Sequence, residues 1–231
     1  AWIKTTSSGV TNTIIGKDSG GALRSYLFYM GTTDQLNLNV WRGGVLKTVQ
    51  STATINDGNW HSVVAINDGT NLKLYIDGAL DGSVSDGGSV DNTVTNFWIG
   101  ARDYTHIEIP FDGNIDEVAV WNSDQTSNVA TIFGTGQPSD LTSLSPVAWW
   151  RLGEDASFST NWNVPDQIGS NDGTSANMTL ADLEGDAPGI TGSGTSDNMT
   201  IEDREGNAPN SDTNALSYNM DAADVDTDVP S

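Results

Sequence analysis

Asp57-Gly58-Asn59-Trp60-His61-Ser62-Val63-Val64, followed by Leu72-Lys73-Leu74-Tyr75-Ile76-Asp77-Gly78, is the stretch that decides the fold. The first apolar run extends to Ile66, and Asn67-Asp68-Gly69-Thr70-Asn71 follows it as a five-residue turn. In the second run Leu72, Leu74 and Ile76 alternate with Lys73, Tyr75 and Asp77. Two apolar strands around a turn that contains Asp-Gly predict an antiparallel hairpin. Asp77-Gly78 closes the second strand with residues that tolerate the positive backbone angles of a tight turn.

The same grammar runs outward in both directions. Tyr26-Leu27-Phe28-Tyr29-Met30 is an aromatic and apolar run without helical spacing. Leu36, Leu38 and Val40 alternate with Asn37, Asn39 and Trp41, the period of a strand with one buried and one wet face. Phe97-Trp98-Ile99-Gly100 and the segment from Ile115 to Trp121 are two more strands. The latter carries two apolar sets, Val118/Val120 and Ile115/Ala119/Trp121, which predicts a central strand covered on both faces. Trp60 is expected to enter the core with its strand. One helix is predicted near Thr126–Phe133, with Asp124 or Ser123 as its cap and Gly134 as its stop. One short helix among some nine strands predicts an all-β antiparallel sandwich.

Composition sets the partners. The 231 residues carry 31 Asp+Glu against 9 Lys+Arg, a formal net charge of -22. Such a surface lacks the cations that bind nucleic acid or an anionic membrane. The chain has no Cys, so thiol catalysis, disulfides and Cys-ligated metals are excluded, and with 2 His a His-based zinc site is not expected. No apolar run approaches the roughly 18 residues of a membrane span, so no membrane insertion is expected. Ala1 is expected to open directly onto a strand, without a signal peptide. Charge is uneven. Residues 1–139 hold 14 acids and 7 bases, and residues 140–231 hold 17 acids and 2 bases. The second region is rich in Asn, Ser, Thr and Gly, a composition that buries little. The boundary is placed near Gly134–Pro138, dividing residues 1–136 from residues 137–231.

Three motifs in order carry a resemblance: Asp57-Gly58-Asn59-Trp60-His61-Ser62-Val63-Val64, Leu72-Lys73-Leu74-Tyr75-Ile76-Asp77-Gly78, and Phe111-Asp112-Gly113-Asn114-Ile115-Asp116-Glu117-Val118-Ala119-Val120-Trp121. With the opening Ala1-Trp2-Ile3-Lys4-Thr5-Thr6, they resemble the laminin G-like domain of the concanavalin A-like lectin/glucanase superfamily, over about residues 1–136. The resemblance implies an antiparallel jelly-roll sandwich of two curved sheets. Members usually have a first strand ahead of the segment matching Ala1–Thr6, and Pro146-Val147-Ala148-Trp149-Trp150-Arg151-Leu152-Gly153-Glu154 looks like that strand. Either the chain is a fragment of a longer protein, the explanation favoured here, or the later segment pairs back into the sheet, in this chain or a neighbour.

The acidic C-terminal region is expected to be a polar arm or a small accessory lobe. It holds a two-copy repeat, residues 177–188 echoed by 198–209, each opening on Asn-Met-Thr. Two copies are too few for a solenoid. The segments around Gln137–Leu141, Trp149–Glu154 and Ser217–Met220 resemble C-terminal regions of structural proteins from marine tailed bacteriophages, which implies a virion surface component.

Three chemistries are weighed. Hydrolysis of a sugar bond needs two facing carboxylates. Glu108, Asp112 and Asp116 are four apart across a Pro and a Gly, so no such pair is legible. Calcium wants six to eight hard oxygens. The resemblance carries a structural calcium-ligand role to Asp116 alone. Glycan binding needs aromatic platforms beside planar polar groups. The loop holding Arg102, Asp103, Tyr104 and His106 supplies them, and Trp41 is a second candidate. The expectation is a non-enzymatic virion surface or fibre protein of a marine phage, scaffolding and attaching to host glycans. The alternative is a secreted bacterial adhesin or carbohydrate-binding module. Either is extracellular. The partners expected are neighbouring copies in a homo-oligomer, other virion proteins and a cell-surface glycan.

Overall fold

The structure, a computed structural model, describes residues 1–104, 106–153, 155–176, 178–179, 183–185, 197–200 and 217–220, with backbone alone for 103–104, 106–108 and those beyond 179. The first eight strands are β1 (Trp2–Lys4), β2 (Asn12–Asp18), β3 (Arg24–Met30), β4 (Gln35–Arg42), β5 (Val45–Thr54), β6 (His61–Asn67), β7 (Leu72–Ile76) and β8 (Ala79–Val84). Next come β9 (Phe97–Ile99), β10 (Arg102–Tyr104), β11 (His106–Glu108), β12 (Asn114–Asp116) and β13 (Val118–Val120). Helix α1 (Val129–Phe133) precedes β14 (Ala148–Trp150), β15 (Ser157–Phe158), β16 (Trp162–Val164) and β17 (Gly173–Ala176). The described strands end with β18 (Leu183–Gly185), β19 (Asp197–Thr200) and β20 (Ser217–Met220).

These strands make two large antiparallel sheets among the described residues. The smaller has the order β18-β19-β12-β1-β6-β7-β8, and the larger β15-β16-β17-β20-β9-β2-β3-β4-β5. Between them lies one apolar cluster that joins Phe28, Leu38 and Ile99 of the larger sheet to Ile3, Val63, Leu74 and Ile115 of the smaller. This is the antiparallel sandwich that the alternating pattern predicts, and the jelly roll that the resemblance implies.

Local chemistry explains the turns. Asp68 Oδ1 accepts the Thr70 and Asn71 amides at 2.8 and 2.6 Å, which closes the β6–β7 hairpin as an Asx turn. At the β7–β8 hairpin Asp77 and Gly78 have φ of 50° and 79°, the paired positive angles of a turn that suits strand twist. A turn of 3-10 helix over Thr126–Asn128 leads into α1. Asp124 Oδ1 accepts the Thr126 amide at 2.9 Å, and Gly134 ends the helix in the left-handed region.

Three expectations need correction. The predicted strand from Ile115 to Trp121 is broken at Glu117, whose φ is 52°. The two halves take different partners: β12 pairs with β1 and β19, and β13 pairs with β14. Trp60 lies before the first residue of β6 and is half-buried, outside the core. Trp150 is instead the bulkiest of the fully buried side chains, 2% exposed and stacked on Phe97 with ring centroids 5.5 Å apart. Finally, the segment at 148–150 does pair back within this chain: Val118, Ala119 and Val120 face Trp150, Trp149 and Ala148.

Described segments of the acidic region therefore contribute to the sandwich. Leu152, Trp162, Val164 and Met178 share the cluster of Ile3 and Phe97. Buried Asp166 ties this segment down. Its Oδ1 accepts the Trp149 and Ile168 amides at 3.0 and 3.1 Å, and its Oδ2 accepts the Asn171 amide at 3.2 Å. In backbone pairing, β19 lies against β12 and β20 against β9. Of the sequence repeat, Leu183–Gly185 and the Asn198–Thr200 part of the second copy form β18 and β19, which pair with one another. Most of the rest lies outside the described residues.

Candidate functional site

Strand alternation sorts β4 into two faces. Leu36, Leu38 and Val40 enter the core, so Asn37, Asn39 and Trp41 lie on the outer face of the larger sheet. Register carries that face across five strands. Trp98 of β9, Gly16 of β2, Leu27 of β3, Asn39 of β4 and Thr48 of β5 stand in one row. Tyr29, Asn37 and Gln50 form the row beside it. The face expected to be wet is only partly so: Trp41 is 7% exposed and Asn37 6%, while Tyr29 and Asn39 are half-exposed and Thr48 and Gln50 are open.

The accessible groups are already oriented. Asn39 Nδ2 donates to Tyr29 Oη at 3.3 Å, and Thr48 Oγ1 donates to Asn39 Oδ1 at 2.8 Å. The Tyr29 hydroxyl is held above the ordinary tyrosine pKa by burial, against the opposing pull of the Asn39 hydrogen bond and the Arg102 charge. It stays a neutral donor and acceptor across the physiological range.

At one end of this face sits a charged cluster. The Asp18 carboxylate, 0% exposed, lies 3.3 Å from Arg24 Nε and 3.3 Å from Arg102 Nη1, and its Oδ1 also accepts the Gly20 amide at 2.8 Å. The Arg24 guanidinium lies over the Trp41 ring, 5.1 Å from its centroid, a cation–π contact that fixes both planes. Thus Trp41 and Arg102, two residues singled out from sequence, are linked through Arg24 and Asp18. Sequence reading missed those two, because the contact joins positions 84 apart.

Asp103, Tyr104 and His106 belong to the β10–β11 hairpin, where Arg102 faces Glu108, Asp103 faces Ile107 and Tyr104 faces His106. The side chains of Asp103, Tyr104 and His106 lie outside the described residues. The hairpin comes down onto β2 because position 16 is glycine. A Cβ there would stand 2.9 Å from the Ala101 carbonyl oxygen and 3.1 Å from Arg102 Cβ.

The other candidates do different things. His61 is clamped between two carboxylates, with Nδ1 2.8 Å from Asp77 Oδ2 and Nε2 3.1 Å from Asp57 Oδ1. Burial opposes its charge, but the hydrogen bonds and charges of Asp77 and Asp57 outweigh burial and raise its pKa. With both ring nitrogens facing carboxylates, neither faces a serine hydroxyl as nucleophilic catalysis requires. Asp116 is 1% exposed and its Oδ1 accepts the Glu117 amide at 2.7 Å. Glu117 accepts Trp149 Nε1 at 2.7 Å and Arg151 Nε at 3.0 Å. Among the described residues no group of three or more His, Cys, Asp or Glu could hold a metal ion. Chelation with EDTA is expected to leave the melting temperature unchanged. A fall reversed by added calcium would support the ligand role that the resemblance carries to Asp116.

A jelly roll with an aromatic and amide face defines a class, and the comparison of sequences agrees. Residues 1–129 match a laminin G-like family described as the concanavalin A-like lectin/glucanases superfamily, and the chain belongs to that superfamily. Among solved structures it is similar to a candidate carbohydrate-binding protein from Bacteroides ovatus, at 21% identity with a TM-score of 0.56, over 73% of this chain and 48% of that one. The chain thus spans about half the length of that relative. Similarity extends more weakly to the CBM40 domain of a Ruminococcus gnavus IT-sialidase, at 20% identity and a TM-score of 0.38 over 49% of this chain and 68% of that one. It also extends to the heptameric SAP-like pentraxin of Limulus polyphemus, at 20% identity and a TM-score of 0.44 over 57% and 66%. At these identities the likeness is one of fold alone. A search of curated proteins finds no match.

Proposed function

We propose that this chain is a non-catalytic carbohydrate-binding domain that takes a glycan on the outer face of β2–β5. One observation carries this reading: half-exposed Tyr29 stands beside Asn39 and Thr48, hydrogen-bonded in series, with Trp41 and Arg102 at the margin. A pyranose ring offers an apolar C–H face and an equatorial rim of hydroxyls. A tyrosine ring accepts the first, and an amide–hydroxyl chain accepts and donates to the second. Both settings weighed from the sequence, a virion surface and a secreted bacterial module, put such a domain outside a cell and in front of glycans.

A glycan array is the direct test. Hits are expected, and on a hit Tyr29→Ala and Asn39→Ala should each weaken binding about tenfold, the size of one lost stacking or hydrogen-bonding contact. Melting temperatures should hardly move, since neither side chain lies in the core. An empty array, or full affinity in the double variant, would end the proposal for this face.

A further inference from the structure

The cations of this chain are engaged within it. Of its 9 Lys+Arg, Arg204 lies outside the described residues and Lys4 belongs to β1 of the smaller sheet. Each of the others is held by an oxygen of the same chain. Lys17 Nζ donates to the Thr95 carbonyl at 2.7 Å, and the Arg42 guanidinium donates to the Asp86 carbonyl. Lys47 lies 3.0 Å from Asp86 Oδ1, Lys73 2.6 Å from Asp68 Oδ2 and Arg151 3.0 Å from Glu117 Oε1. Arg24 and Arg102 share the buried Asp18. Across the β10–β11 hairpin Arg102 faces Glu108, and Asp103 follows it in the chain. The arginines at the margin of the outer face are thus matched by acidic residues at positions 18, 103 and 108.

The face itself is uncharged at Tyr29, Asn37, Asn39, Thr48 and Gln50. Its side chains offer donors and acceptors side by side. Thr48 donates to Asn39 and Asn39 to Tyr29, and Gln50 Nε2 donates to Thr33 Oγ1 at 3.2 Å. The Tyr29 hydroxyl hydrogen, one Asn39 amide hydrogen and the Gln50 carbonyl oxygen are left to meet a ligand. A sugar hydroxyl both donates and accepts, so it satisfies either kind. A carboxylate or a sulfate only accepts. It would set its oxygens against that of Gln50 and lose its water without gaining a cation. Around the face lies a chain of formal net charge -22, which repels an approaching anion.

We propose that the outer face of β2–β5 selects uncharged glycans and rejects those that carry a carboxylate or a sulfate ester. This inference rests on the glycan reading and narrows it to a chemical class. Rejection has a short-range part, the anion left without a donor, and a long-range part, the field of the whole chain. Salt separates the two, because the Debye length falls from about 30 Å at 0.01 M to about 3 Å at 1 M. Arg102 is the cation whose charge reaches the Tyr29 hydroxyl. Its pairing with Asp18 is what keeps it from serving as an anion receptor.

Pairs of glycans that differ in a single terminal acid group, built on a hit from the array, test it. The acidic member is expected to bind about tenfold more weakly or worse at 0.01 M salt, and the gap to shrink to about threefold at 1 M. Gln50→Lys puts a cation on an open position of the face and should narrow the low-salt gap about threefold or more. Equal or tighter binding of the acidic member by the unaltered chain would overturn the class and make Arg102 its receptor. A gap that neither salt nor Gln50→Lys changes would overturn charge as its cause. An empty array would end the glycan reading and this inference with it, whereas hits of either charge leave that reading in place.

Discussion

Trp150→Ala is expected to cost about 3–5 kcal/mol of unfolding free energy, read as a lower denaturant midpoint at unchanged slope. The ring is 2% exposed, stacks on Phe97 and donates its Nε1 to the Asn171 carbonyl at 2.7 Å. Truncation leaves a ring-sized cavity and an orphaned carbonyl together. A domain of this kind holds only about 5–15 kcal/mol, so the loss is a third or more of the whole. The variant also asks whether residues 148–164 belong to the sandwich. A wild-type midpoint would mean that this segment contributes nothing to the core.

The second large effect is at Asp18. Asp18→Asn keeps the shape of the side chain but removes the buried charge that lies between Arg24 and Arg102. Breaking a fully buried pair costs about 3–5 kcal/mol. Here the two arginine side chains are 31% and 19% exposed, so about 2–4 kcal/mol is expected. Binding should suffer more than for a distant variant of equal stability. The carboxylate holds Arg24 over Trp41 and pairs with Arg102, so the margin of the proposed glycan face loosens with it. Affinity on the array-identified glycan, compared with that of a core variant matched in melting temperature, separates positioning from stability. Equal losses in the two would remove Asp18 from the site.

Local pattern was enough wherever the information was local. The β6–β7 hairpin, the Asp77-Gly78 turn and the stop at Gly134 each rest on residues within a few positions of one another. The hydrogen bonds that make them run from a side chain to a nearby amide, or through a residue that tolerates positive φ. The alternation in β4 likewise told which side chains enter the core. It did not tell that Trp41 is nearly covered, because what covers a face comes from other strands. The continuous strand read from Ile115 to Trp121 failed for a similar reason. Ile115 and Val118 are buried and Ala119, Val120 and Trp121 half-buried, but the left-handed Glu117 hands one half to β1 and the other to β14.

By itself, then, the sequence determined an antiparallel sandwich, its turns and its superfamily. Period-two burial and turn chemistry are properties of consecutive residues. Only the tertiary structure decided that the acidic C-terminal region supplies core tryptophans, and that Asp18 joins Arg102 to Trp41 by way of Arg24. Each of these depends on which distant segments become neighbours. That choice is made by the fit of whole sheets against each other, and no short window of residues encodes it.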